Sequence, residues 1–186
     1  MKKINLLLVM GVCSMLFITS CKKDDPIIEN EEELITTLIY TLTPEAGGAP
    51  VVLSFQDLDG DGAITPIITG GTLAANTSYN GSLQLLNESV NPAEDITVEV
   101  QEEAEEHQFF FEITISGLSI TYDDLDDNGN PIGLLSKITT TGSGSGTIKV
   151  TLRHEPNKTA AGVSTGDITS AGGETDIEVT FDVEIQ

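Results

Sequence analysis

The C-terminal stretch ETDIEVTFDVEI, residues 174–185, alternates without interruption. Ile177, Val179, Phe181, Val183 and Ile185 share one parity; Glu178, Thr180, Asp182 and Glu184 share the other. A period of two belongs to a strand with one face in a core and the other in water, and a helix cannot gather that pattern on one side. The same period recurs along the chain. Phe109, Phe111, Ile113 and Ile115 form an aromatic-rich run, and Ile148, Val150 and Leu152 face away from Lys149, Thr151 and Arg153. Val51, Leu53 and Phe55 make another, and Tyr79, Gly81, Leu83 and Leu85 a further one. Between Leu34 and Leu42 both parities are apolar or β-branched, which suits a central strand. With weaker runs near 64–70 and 133–140 there are about eight strands, separated by Gly-, Asn-, Asp- and Ser-rich turns.

These runs predict a mainly β fold: an antiparallel β-sandwich, Ig-like or jelly-roll in style, formed by a single domain over 34–186, with a barrel as the alternative. One segment departs from the pattern. In residues 91–108 Ile96, Val100 and Ala104 have helical spacing while Ile96, Val98 and Val100 have strand spacing. The glutamates and Asn91-Pro92 predict a short acidic helix over about 94–106. Gly142-Ser143-Gly144-Ser145-Gly146 reads as a flexible connector, since no helix follows to make it a phosphate cradle.

The N-terminus carries an address. Residues 1–20, MKKINLLLVMGVCSMLFITS, have two lysines, an apolar run and small residues, the layout of a secretory signal peptide. Ile18-Thr19-Ser20-Cys21 resembles a bacterial lipobox, and the resemblance implies cleavage before Cys21 and lipidation of that residue. Cys13 leaves with the signal, so the mature chain has no internal disulfide and must be held by its core. Residues 21–33 then form a lipidated, flexible acidic tether. Lys22-Lys23-Asp24-Asp25 resembles the short signal that sends lipoproteins of Bacteroidota-type bacteria to the cell surface; the periplasmic face of the outer membrane is the alternative.

Charge narrows the choice of partners. The chain has 8 basic and 30 acidic residues, a formal charge of −22, which becomes −24 once the signal takes its two lysines away. Such a surface repels phosphate backbones and argues against nucleic-acid binding. It attracts cations and basic partners.

Several segments together resemble one family. They are SYNGSLQLLNES (78–89), EEAEEHQFFF (102–111), DDNGNPIGL (126–134), LRHEPNK (152–158) and AGGETDIEVTF (171–181). They are similar to small acidic lipoproteins of flavobacterial type, often given the label "type 1 periplasmic binding fold superfamily". The resemblance implies an envelope location. The label names a two-lobed α/β fold, whereas the runs here build no βαβ crossover, so the fold expectation stays with the sandwich.

No catalytic constellation stands out. Gly162-Val163-Ser164-Thr165-Gly166 matches a nucleophile-elbow spacing, but no strand precedes it and no histidine follows Ser164. It reads as a loop. Two metal readings remain. FQDLDGDG (55–62) and YDDLDDNGN (122–130) place Asp57, Asp59 and Asp61, and Asp124, Asp126 and Asn128, at calcium-loop positions 1, 3 and 5, each followed by glycine. Position 12 is Ile68 in one and Leu135 in the other, so each lacks the closing carboxylate. The same dipeptides suit hairpin turns, and tight turns and weak calcium sites stand side by side as readings.

His107 shares parity with Phe109 and Phe111, and His154 with Leu152 and Val150. Each caps the core face of a strand, beside Glu106 and Glu155 respectively. If those strand ends meet, imidazoles and carboxylates together suit a transition metal; otherwise each histidine hydrogen-bonds at a core rim. The expectation overall is a non-enzymatic, lipid-anchored outer-membrane protein whose β domain is structural or binds a protein or small ligand. The alternative is a lipoprotein that binds calcium weakly or a transition metal.

Overall fold

The alternating runs become the strands of two sheets. The computed structural model describes residues 34–59, 62 and 64–186. The expected signal peptide, Cys21, the tether and Asp61 lie outside the described residues. In chain order the strands are β1 (Thr37–Pro44), β2 (Val51–Gln56), β3 (Ile67–Thr69), β4 (Gly71–Leu73), β5 (Ser78–Asn87) and β6 (Glu94–Asp95). After helix α1 (Ile96–Glu102) come β7 (His107–Ile113), β8 (Leu118–Tyr122), β9 (Leu135–Thr140), β10 (Gly144–His154) and β11 (Glu174–Ile185). One sheet has the order β3-β2-β1-β5-β9-β8, with β6 pairing β5 at the side; the other has the order β4-β11-β10-β7. The pairs are antiparallel, save that β4 runs parallel to β11.

Parity decides what is buried. Leu38, Tyr40 and Leu42 of β1, Leu83 and Leu85 of β5, Val150 and Leu152 of β10, and Phe181, Val183 and Ile185 of β11 join one core cluster drawn from both sheets. The mainly β, sandwich-like expectation holds. β1, apolar on both parities, lies between β2 and β5 as a central strand. Phe181 is fully buried opposite Ile148, and truncating such a phenylalanine to alanine costs about 3–5 kcal/mol.

Three expectations need correction. Eleven strands form among the described residues instead of about eight, because β4, β6 and β8 are too short or too mixed to show a period. The helix spans only Ile96–Glu102, not 94–106. Its first expected residues pair with β5 as β6, and Asp95 caps it by accepting a bond from the Thr97 N–H. Ile96 and Val100, one turn apart, fill the core, and pairing of β7 with β10 at His107 draws the chain out of the helix. Finally, the glycine-serine stretch is no connector: Gly144, Ser145 and Gly146 pair with Ile185, Glu184 and Val183. A Cβ on Gly146 would meet the Ile115 and Thr114 side chains at 2.8 Å, so the glycine serves close packing inside the strand.

Candidate metal centre

The antiparallel register of β7 and β10 ends with His154 opposite His107. Both lie on the parity of core residues Phe109 and Leu152, so both are buried, 0% and 5% exposed. Their ring centroids are 4.5 Å apart with the planes tilted by 41°. The strand ends do meet.

The carboxylate comes from a third strand. Alternation along β11 would point Asp176 outward with Glu178 and Thr180. However, the β10–β11 register shifts: Leu152 pairs with Ile177, and the next pair is Arg153 with Thr175. Asp176 is the extra residue of a β-bulge, a device that re-aims a side chain. Its carboxylate is fully buried, with Oδ2 3.8 Å from His107 Nε2. Its Oδ1 lies 3.7 Å from His154 Nδ1. One ligand atom from each of the three residues lies within 4.8 Å of the others.

The outer ring nitrogens face a single turn. His107 Nδ1 is 3.2 Å from the Glu103 carbonyl. Donation from Nδ1–H to that oxygen leaves the Nε2 lone pair directed at the cluster. His154 Nε2 lies 4.0 Å from Glu106 Oε2 on the more exposed side. Metal-ligating histidines have this arrangement, with the second nitrogen turned to a carbonyl or carboxylate that fixes the ring. The 103–106 turn is itself tied down. The Glu106 N–H donates to the Glu103 carbonyl, and the Glu155 N–H to the Glu106 carbonyl.

Two imidazole nitrogens and a carboxylate oxygen form a donor set suited to zinc and similar divalent ions. A tetrahedral ion with ligands about 2.0–2.1 Å away holds them about 3.3–3.4 Å apart. The two histidine–carboxylate separations, 3.8 Å to Oδ2 and 3.7 Å to Oδ1, exceed that spacing by a few tenths of an ångström, and single ligand atoms of the three residues lie within 4.8 Å of one another. A cation there would also offset the cost of a carboxylate buried between two rings.

Among the described residues the calcium-loop side chains do not join this cluster, and the Asp59, Asp124 and Asp126 carboxylates accept hydrogen bonds elsewhere. In the loop joining β2 to β3, Asp57 donates its N–H to the Thr36 carbonyl and Asp59 Oδ2 accepts from the Ile64 N–H at 2.9 Å. In the 124–130 turn, Asp124 takes the Gly133 N–H on Oδ1 at 2.8 Å and the Leu135 N–H on Oδ2 at 2.9 Å. Asp126 Oδ1 accepts from the Asn128 and Asn130 N–H groups, and its Oδ2 meets Lys158 Nζ at 2.9 Å. Asn128 contributes its backbone to this turn.

Lys158, which drew no notice in the sequence, is buried and also donates to the Ala104 and Pro131 carbonyls. Burial pushes its ammonium below the usual lysine range, an effect Asp126 partly offsets. Burial alone would raise the Asp126 carboxyl, but Lys158 and the Asn130 and Asn128 N–H groups outweigh it and hold it below the ordinary value. For Asp124 burial is the largest effect and raises the carboxyl above its ordinary value despite its N–H donors.

Ser164 sits in a 3-10 turn, Val163–Thr165, between two glycines in the left-handed region. Sequence reasoning placed both histidines but named Glu106 and Glu155 as their carboxylates. Glu106, expected beside His107, lies instead against His154, and Asp176 supplies the inner oxygens. Nothing in the alternation of β11 marks the bulge. The chain matches no family model, and no curated protein or solved structure shows significant similarity to it.

Proposed function

We propose that this chain is a non-enzymatic envelope lipoprotein, anchored to the outer membrane through Cys21, whose β domain holds one divalent transition-metal ion. His107, His154 and Asp176 are the protein ligands, and zinc is the ion their chemistry favours. The observation that carries the reading is the convergence of three ligand atoms from three adjacent strands, on side chains 0–6% exposed. Each histidine is backed by an oxygen of the 103–106 turn. The three protein ligands fill three of the four tetrahedral positions that zinc takes and leave the fourth to water or a further ligand. The ion would clamp β7, β10 and β11 at one end of the four-stranded sheet.

Elemental analysis of the purified full chain after zinc loading and desalting should find one zinc per chain. Asp176→Asn, which keeps the shape but removes the charge, should lower the content to near zero. Equal zinc in both proteins would discard the site. The anchor has its own test: Cys21→Ser should move the protein to the soluble fraction, and continued detergent-phase partitioning would mean another attachment.

A further inference from the structure

A second site lies apart from the histidines. A cleft of about 420 Å³ opens between β8, at the edge of the seven-stranded sheet, and β7, at the edge of the other. Phe111, Ile120, Tyr122, Leu125 and Pro131 give it apolar walls, and Ser164 stands on the third side. Ligand sites typically occupy 300–1,000 Å³, mostly apolar with a few placed polar groups. None of the ten described residues that line the cleft is charged, in a chain with 30 acidic residues.

The walls are held before any ligand arrives. Tyr122 donates its hydroxyl to the Phe109 carbonyl at 2.7 Å and accepts from Gln108 Nε2 at 3.2 Å. The same buried Gln108 amide donates to the Val163 carbonyl at 2.9 Å, so one side chain fixes the Tyr122 ring and the Val163–Thr165 turn together. The wall formed by the 124–131 turn is braced by Asp124 and Asp126 and closed by the bridge between Leu125 and Pro131. That bridge holds Leu125 at the rim, 63% exposed, where a bound molecule would cover it. Gly166, opposite, lies in the left-handed region, and a Cβ there would come within 3.4 Å of the Tyr122 hydroxyl.

We infer that this cleft binds an uncharged, flat apolar molecule of one or two rings carrying a hydroxyl. The rings of Phe111 and Tyr122 and the rim Leu125 supply the apolar contact. Ser164 brings a hydroxyl-bearing side chain to the lining as a partner for one polar edge, and no lining cation among the described residues stands ready for an anion. The surrounding negative charge adds to the rejection of anions.

The probe is 2-naphthol, titrated calorimetrically into the full chain, with 2-naphthoate as the same ring bearing a carboxylate. 2-Naphthol should bind one to one, with Kd on the order of 10⁻⁴ M or tighter for a ligand of this size, and 2-naphthoate at least about tenfold more weakly. Leu125→Asp places a charge on the rim at an exposed position and should weaken 2-naphthol about tenfold without moving the melting temperature. Val98→Asp, an exposed control on α1, should leave binding unchanged. Absence of saturable binding, equal affinity for the two naphthyl compounds, or a Leu125→Asp variant that binds like wild type would each overturn the proposal.

Discussion

Asp126 and Asp176 are both carboxylates with no exposed surface, in a chain where acidic side chains are plentiful, yet their surroundings differ in kind. Around Asp126 the partners are fixed donors: two backbone N–H groups and the Lys158 ammonium. Around Asp176 they are two imidazole nitrogens, each able to donate a proton or a lone pair. The first arrangement is complete as a staple, tying the 124–131 turn to Lys158 and through it to Ala104. The second gathers imidazole nitrogens and a carboxylate, a donor set that a cation can share. Burial of an acidic group therefore does not identify its job. The protonation freedom of its neighbours does.

The largest expected effect tests the staple. Lys158→Met removes the ammonium and leaves the Asp126 carboxylate buried with its N–H donors alone. Breaking one side of a buried pair typically costs about 3–5 kcal/mol. A fall of that size in urea-unfolding free energy at neutral pH is expected. Acid supplies the sign. The folded Asp126 lies below its ordinary 3.8, so its stabilisation stands above that value and drains away as pH falls through the lower folded one. Wild type should lose this increment in that acid window, and the variant should lose less of it. If the two proteins lose stability in parallel there, the ion pair is not what holds the turn.

The two clusters were unequally legible in the sequence, for reasons rooted in their geometry. The fold class followed from period two, since burial of one face alternates without a break from Ile177 to Ile185 along β11. The histidine meeting was legible in part, because parity put His107 and His154 on core faces and only the pairing of β7 with β10 remained to be found. Asp176 was hidden: one inserted residue reverses its face, and alternation has no memory of a bulge. Lys158 was hidden too, since its burial depends on three acceptors brought from distant turns. Conversely, in the most eye-catching motif, Asp-x-Asp-x-Asn-Gly, the two aspartates spend their oxygens on nearby backbone N–H groups and on Lys158.

The metal cluster should answer differently from the staple when an ion is supplied. Zinc at a hundredfold excess over its Kd stabilises a protein that binds it only when folded by about 2.7 kcal/mol. Differential scanning of the full chain should show that rise with zinc and its reversal by a chelator. His107→Ala should remove the response while Lys158→Met, though weaker at the outset, should retain it. A zinc response surviving in His107→Ala, or lost in Lys158→Met, would erase the distinction between the two regions.

Calcium should have the smallest effect, and the expected value is zero. A weak extracellular-type site with Kd of about 10⁻⁴–10⁻³ M would gain roughly 0.4–1.4 kcal/mol from millimolar calcium. To earn it in the second loop, the ion would have to compete with the Gly133 and Leu135 N–H groups for Asp124, and with Lys158 and two further N–H groups for Asp126. Those donors are already in place, and for the part-buried Gly133 and Asn130 N–H groups and the buried Lys158 ammonium losing the acceptor costs about 1–3 kcal/mol each. The loss exceeds the gain. Melting of the full chain should thus be the same with millimolar calcium as with a calcium-selective chelator. Should calcium raise the melting temperature, and Asp124→Asn remove the rise, the turn would be a binding loop after all, and a completed set of hydrogen bonds would no longer separate a staple from a site.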